Sequence, residues 1–227
     1  MKLVLGIDCS TRRTNTGLAA CARPMGEINL DIGRDQAKEL PGLVENLLRY
    51  LSLDLNDLDL IAVTVGPGYF TGIRVGLSYA SALAEGLGIP IVPVCSLEAV
   101  AYHALEADNT AVVLPVIWAS KKFIYAAAFE RNNGLTKKIL PAGAYTISYI
   151  TSFLEEQRTT AIVPSPDSER CAPLLSKYAH IFSYSPVSGS AVASMGFLNL
   201  ERSIDPIDIK AVYYREPDIG IPKKAMI

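Results

Sequence analysis

No apolar run in this chain approaches the roughly 20 residues that a helix needs to cross a bilayer. The longest span residues 60–65, 89–95 and 111–119. A membrane-spanning protein is excluded on length, despite a mean hydropathy of +0.25. A basic excess is missing too: 21 lysines and arginines face 23 aspartates and glutamates. That balance argues against tight stand-alone binding of nucleic acid. There is no Cys-x-x-Cys pair. Cys9, Cys21, Cys95 and Cys171 are widely spaced, the pattern of reduced thiols rather than of a disulfide framework or a metal site. The start lacks the marks of a secretory leader, since Met1-Lys2 runs straight into Leu3-Val4-Leu5-Gly6-Ile7-Asp8 and places an acid where an apolar segment would be. These features predict a cytoplasmic protein. What is present is apolar content, 50% of 227 residues, enough for one large core or two small ones. The high hydropathy without a span points to a large buried interface.

The periodicities predict a specific order of elements. Residues 3–7, 17–22 and 27–31 read as three short strands, with a turn at Pro24-Met25-Gly26. Leu40, Leu43, Val44, Leu47, Leu48 and Leu51 recur at helical steps. Pro41 belongs in a first turn, which starts that helix near Lys38 or Glu39. Residues 60–65 read as a buried strand, 73–87 as a helix ended by Gly88 and Pro90, 91–94 as a strand and 97–105 as a helix. Near Asp108-Asn109 the order restarts, with strands at 111–117, 123–130 and 135–140. Helices at 147–156, 170–177 and 191–201 then enclose strands at 160–164 and 181–184. This is βββαβαβα twice, a duplicated α/β fold with a cleft between two lobes, residues 1–107 and 108–227. The tail from Val212 on reads as irregular or ordered by a partner.

The most informative segment is Gly66-Pro67-Gly68-Tyr69-Phe70-Thr71-Gly72-Ile73-Arg74-Val75-Gly76. Glycines let a loop approach a ligand or another backbone closely, and a helix start favours an anion. The plainer reading is a strand-to-helix turn capped by Thr71. The spacing fits neither the dinucleotide fingerprint nor a Walker A loop. In the following helix Gly72, Gly76, Ala80 and Ala84 form a stripe of small residues every four positions. Such a stripe lets another helix approach. Together with Leu40, Leu43 and Leu47 it is the predicted interface to a second chain. A second segment, Asp8-Cys9-Ser10-Thr11, follows the first strand. Asp8, Ser10 and Thr11 are candidates for a nucleotide cleft with a metal-bound water, against a hairpin closed by an Asx turn.

Ile7-Asp8-Cys9-Ser10-Thr11, the glycine-rich stretch and the duplicated element order together resemble the TsaB (YeaZ) family, of the actin/sugar-kinase/Hsp70-like superfamily. Ser96-Leu97-Glu98-Ala99 and Tyr213-Tyr214-Arg215-Glu216-Pro217 also resemble family segments. The resemblance implies a part in the bacterial synthesis of the threonylcarbamoyl group on tRNA adenosine beside the anticodon. It implies a non-catalytic scaffold with no catalytic residues and no metal. That scaffold pairs with the catalytic paralogue TsaD through first-lobe helices and joins the ATPase TsaE. It reaches tRNA only through the complex and forms a homodimer when alone. No cofactor is required, with ATP or ADP held at most weakly in the cleft or at an interface. The residues agree: His103 and His180 are too far apart for a helical metal pair, and Ile117-Trp118-Ala119-Ser120 offers neither Asp nor Gly where a second phosphate turn would stand. The alternative is an active ATPase, kinase or metallopeptidase-like enzyme of the superfamily. The chain departs from the family at Trp118-Ala119-Ser120, followed by Phe123-Ile124-Tyr125, where many members carry Asp-Ala-Arg and then Glu-Val-Tyr. It departs again at Asp35-Gln36-Ala37-Lys38. Lys121-Lys122 and Lys137-Lys138 are expected to gather at one sheet edge, solvated or facing tRNA.

Overall fold

The computed structural model describes residues 2–107, 112–132, 135–156 and 161–215. The expected lobe boundary near Asp108-Asn109 and the tail from Glu216-Pro217 on lie outside these residues.

Strands β1 (Leu3–Asp8), β2 (Thr14–Ala20) and β3 (Arg23–Leu30) form the antiparallel meander. Helix α1 (Gln36–Tyr50), strand β4 (Leu60–Gly66), helix α2 (Phe70–Leu87), strand β5 (Ile91–Cys95) and helix α3 (Ser96–Ala107) follow. The sheet order is β3-β2-β1-β4-β5, with β4 parallel to β1 and β5 parallel to β4. In the second half come β6 (Val112–Val113), β7 (Val116–Trp118), β8 (Phe123–Asn132), β9 (Leu135–Thr146), α4 (Ile147–Glu156), β10 (Ala161–Ser165), α5 (Ser168–Leu175), β11 (Ile181–Tyr184) and α6 (Gly189–Leu198). The single strand expected at 111–117 is broken between β6 and β7, where Pro115 has no N–H to give to a ladder. Both pieces pair with β8, β9 pairs with the other side of β8, and β10 and β11 run parallel beyond β6. The second sheet therefore repeats the strand order of the first.

Alternation along the strands separates three cores. Leu3, Leu5 and Ile7 face α1 and α2. Val4 faces the opposite way, into a core shared by α3, α6 and the inner faces of both sheets. Ile124, Ala126 and Ala128 face α4 and α5. Helix α6, read from sequence as part of the second lobe, lies on the first sheet. It can do so because Gly6 and Gly17 present bare backbone: a Cβ on either would strike the backbone of Gly189 or Ser190.

Three local expectations are corrected. The β2–β3 hairpin reverses at Cys21-Ala22, and Pro24-Met25-Gly26 lie inside β3 beside a bulge. An edge strand tolerates a proline there because its outward N–H has no partner to lose. Helix α1 begins at Gln36, so Pro41 is its sixth residue and one helical hydrogen bond is forgone. The tail is not wholly irregular: Val212 N–H donates to the Val65 carbonyl at 2.8 Å, and the Tyr213 ring meets Phe70 at 5.0 Å.

Candidate functional site

The hairpin after β1 is organised by Asp8, which is fully buried. Its Oδ1 accepts from Ser10 N–H at 3.0 Å, Ser10 Oγ at 2.6 Å and Thr64 Oγ1 at 2.7 Å, and its Oδ2 accepts from Asn15 Nδ2 at 2.8 Å. Burial pushes the carboxyl above the usual carboxylate range, and these hydrogen bonds offset part of that. Both oxygens are occupied within the chain. Of the three residues expected in the cleft, only Thr11 reaches a cavity wall. Asp8 and Ser10 close the hairpin instead, since an Asx turn satisfies donors that no solvent reaches.

The glycine-rich loop is pinned to that hairpin. Tyr69 N–H donates to the Ser10 carbonyl at 2.7 Å, and a Cβ on Gly68 would strike the same carbonyl. Gly66 has φ +113°, open to glycine but strained for other residues. Pro67 is buried between them. The close approach expected of this loop is therefore to the chain's own backbone. Helix α2 begins at Phe70, so Thr71 is its second residue and not its cap, and Tyr69 at the cap position makes no side-chain cap bond. Arg74 lies over the Phe70 ring at 3.8 Å and donates to Tyr213 Oη at 3.2 Å.

The predicted interface residues are not at the surface. Leu40, Leu43 and Leu47 sit in the first lobe's own core, as do Ala80 and Ala84. Gly72 abuts the Cys9 carbonyl and the Gln36 side chain, and Gly76 abuts Cys9. The small stripe lets α2 settle onto β1 and its hairpin, while Leu40 of the same predicted interface lines a groove at the surface. What α1 and α2 do present is a surface groove of about 540 Å³ whose walls include Ala37, Phe70, Arg74, Val75, Ser78 and Tyr79.

Between the lobes lies a charged cleft of about 490 Å³. Arg12, Arg13, Asp31 and Tyr69 line one side, and Asp167, Glu169 and Arg170 the other. Tyr69 Oη donates across it to Asp167 Oδ1 at 3.3 Å, while Trp118 N–H donates to Asp167 Oδ2 at 2.9 Å. Burial pushes the Asp167 carboxyl up, against the pull of these bonds and of Arg170. The second lobe's first turn has no acid of its own, and Asp167 comes to its backbone from the start of α5. The periodicities leave residues 165–168 between a strand and a helix with no role assigned, so the sequence does not show this contact. An Asp opening a helix was the visible signal, but its partners are 49 and 98 positions away.

The lysine pairs do not gather. Lys121 and Lys122 precede β8, whereas Lys137 and Lys138 pair with Glu130 and Phe129 near its far end, and Lys138 is bound to Glu98 at 2.8 Å. All four cysteines are unpaired, with Cys9 and Cys171 buried. Among the described residues no group of three His, Cys, Asp or Glu is placed to hold a metal ion, and no helix is long and apolar enough to cross a membrane.

The model of a family described as TsaD, tRNA N6-adenosine threonylcarbamoyltransferase, matches residues 30–184. The chain belongs to the TsaB/TsaD family. It is 29% identical over 138 residues to the tRNA threonylcarbamoyladenosine biosynthesis protein TsaB of Bacillus subtilis, covering 61% of this chain and 59% of that one. Its matches span about half the length of the curated TsaB relatives, 54 to 59%. Among solved structures, YeaZ from Pseudomonas aeruginosa superposes with a TM-score of 0.79 at 19% identity, covering 94% of this chain and all of that one. The fold is also that of a polyphosphate/ATP-glucomannokinase from Arthrobacter, at TM-score 0.50 and 12% identity over 88% of this chain and 99% of that one. TsaB, YeaZ and the sugar kinases thus share the duplicated actin/sugar-kinase/Hsp70-like fold with this chain.

Proposed function

We propose that this chain is a non-catalytic scaffold subunit in the synthesis of threonylcarbamoyladenosine on tRNA, pairing with a TsaD-like catalytic paralogue and working beside a TsaE-like ATPase. The names of its TsaB relatives supply the pathway. The observation that carries the scaffold role is Asp8. An enzyme working through the acid at the end of the first strand needs a carboxylate oxygen open to its ligand, and here both oxygens accept hydrogen bonds from the hairpin and from Thr64 of β4. The partner surface of this reading is the groove of α1 and α2, not the buried stripe beneath it. Without the paralogue, a second copy takes the same groove through a two-fold axis.

The test is co-purification with the TsaD-like paralogue of the same organism, with Val75→Arg as the variant. Val75 is half-exposed on the groove wall, so the variant should stay folded and lose the paralogue. Retention of the paralogue by a folded variant would place the contact elsewhere. The chain alone with ATP and Mg²⁺ should show no turnover; steady hydrolysis would favour an active enzyme of the superfamily.

A further inference from the structure

Beyond α6 the chain returns along the first lobe, where Ile209 and Ala211 pack against the core under α1 and α2. Val212 then lies along the end of β4. Its N–H donates to the Val65 carbonyl at 2.8 Å, and its own carbonyl oxygen would stand 2.6 Å from a Cβ on Gly66. A glycine leaves that seat open. Tyr213 comes next and meets the start of α2. Its ring packs on Phe70 at 5.0 Å, and its Oη accepts from Arg74 Nε at 3.2 Å. Arg215 ends the run on the other lobe, with its guanidinium 5.0 Å from the centre of the Phe123 ring at the start of β8. Four residues, about 10 Å of extended chain, thus touch β4, α2 and β8 in succession.

Phe70 and Arg74 are also walls of the groove of α1 and α2. Arg74 is exposed, and a long exposed side chain loses rotamer freedom when a partner closes on it. Here it is held in advance, between the Phe70 ring at 3.8 Å and the Tyr213 hydroxyl. Tyr213 is itself 40% exposed, so its place depends on its neighbours: Val212 on β4 and Arg215 on β8. We propose that Val212–Arg215 form a strap that preorganises the partner groove and ties it to the second lobe. Tyr213 is a positioning residue for Arg74 and Phe70, and the contact of Arg215 with Phe123 anchors it. Such coupling is reciprocal: a partner in the groove holds the strap on Phe123, and release of Phe123 weakens the partner. The inference rests on the reading that the groove receives a TsaD-like paralogue.

The experiment compares the full chain with variants at the two ends of the anchor. Arg215→Gln removes the cation, and Phe123→Leu removes the ring while keeping apolar bulk; neither residue lines the groove. In the free chain either change should speed hydrogen exchange at Val212 N–H about fivefold or more, and NMR relaxation should show the order parameter of Arg74 Nε–H falling below about 0.6. Arg215→Gln should do so with an unaltered melting temperature. Both should weaken the TsaD-like paralogue about fivefold or more, the lower end of coupling between sites. Tyr213→Phe keeps the ring on Phe70 and should free Arg74 while leaving Val212 protected. The proposal is overturned if Arg74 stays ordered in both anchor variants, or if Arg74 is freed and the paralogue binds as it does to the parent. Failure of the parent chain to bind the paralogue would overturn the scaffold reading and the partner half of this one together, and the exchange and order measurements would then decide the strap alone.

Discussion

At the residue scale, two carboxylates with opposite behaviour hold the first lobe. Asp8 is buried, and its carboxyl is raised above the usual range. The folded state therefore binds its proton more tightly than the unfolded state does. Its contribution to stability is greatest below the ordinary carboxylate range and declines as pH rises toward the raised value. Asp8→Asn should remove that decline, which urea titrations at a series of pH values would detect. Asp8→Ala strands the hydroxyls of Ser10 and Thr64 and the amide of Asn15 without an acceptor. It should cost on the order of 3 kcal/mol in the same titrations. Glu27 behaves the other way. Burial alone would raise its carboxyl, but Ser188 Oγ at 2.5 Å, Ser190 N–H at 3.1 Å and Ser190 Oγ at 2.8 Å hold it below the ordinary range. Its contribution is present above the ordinary range and is lost as pH falls through the lowered value. Glu27→Gln should lower the melting temperature at neutral pH, with the gap to the parent closing in acid; a gap that widens in acid would contradict this.

At the element scale, α2 is a helix held by close contacts on its inner face. The stripe Gly72, Gly76, Ala80 and Ala84 meets the sheet and the hairpin. Ala80 has no exposed surface. Ala80→Arg therefore buries an unpaired charge and should cost on the order of 4 kcal/mol, losing the native circular dichroism transition along with any partner binding. A folded Ala80→Arg with an unchanged transition would mean that the stripe has room the packing denies. Gly68→Val meets the Ser10 carbonyl and should cost about 1–3 kcal/mol by overpacking, read as a shift in urea midpoint. Its effect should be distinct from that of Val75→Arg, which touches the outer face and should spare stability.

At the scale of the whole molecule, the two sheets are joined by helices that do not respect the order of the chain. Helix α6 comes after every strand of the second sheet and is packed on the first, where Glu27 holds its start. Helix α3 comes before those strands and packs among them. The core between the sheets is therefore shared. Unfolding should be a single transition in which probes of both lobes coincide. A fragment ending at residue 107 would leave the inner face of the first sheet uncovered, with Val4, Ala19 and Ala62 facing water. It should give a poorly dispersed NMR spectrum; a well-dispersed one would show that the first lobe stands alone.

The sequence by itself determined the order and kind of nearly every element, because strand and helix periodicities are local records of which residues avoid water. Residues 60–65, 147–156 and 181–184 were legible in this way, and so was the glycine-rich segment from Gly66 to Gly76, whose glycines mark a close backbone approach. The same periodicities do not say which neighbour provides the burial. Gly72, Gly76, Ala80 and Ala84 carry one pattern whether they face a partner or their own sheet, and only the packing of α2 on Cys9 and β1 decided it. The seat of α6 on Gly6 and Gly17 was hidden for the same reason. Asp167 meets Trp118 and Tyr69 across 49 and 98 positions, and Arg74 meets Tyr213 across 139. Such meetings leave no periodic trace in sequence, so only the tertiary structure, by closing two lobes around a shared core, brought those side chains together.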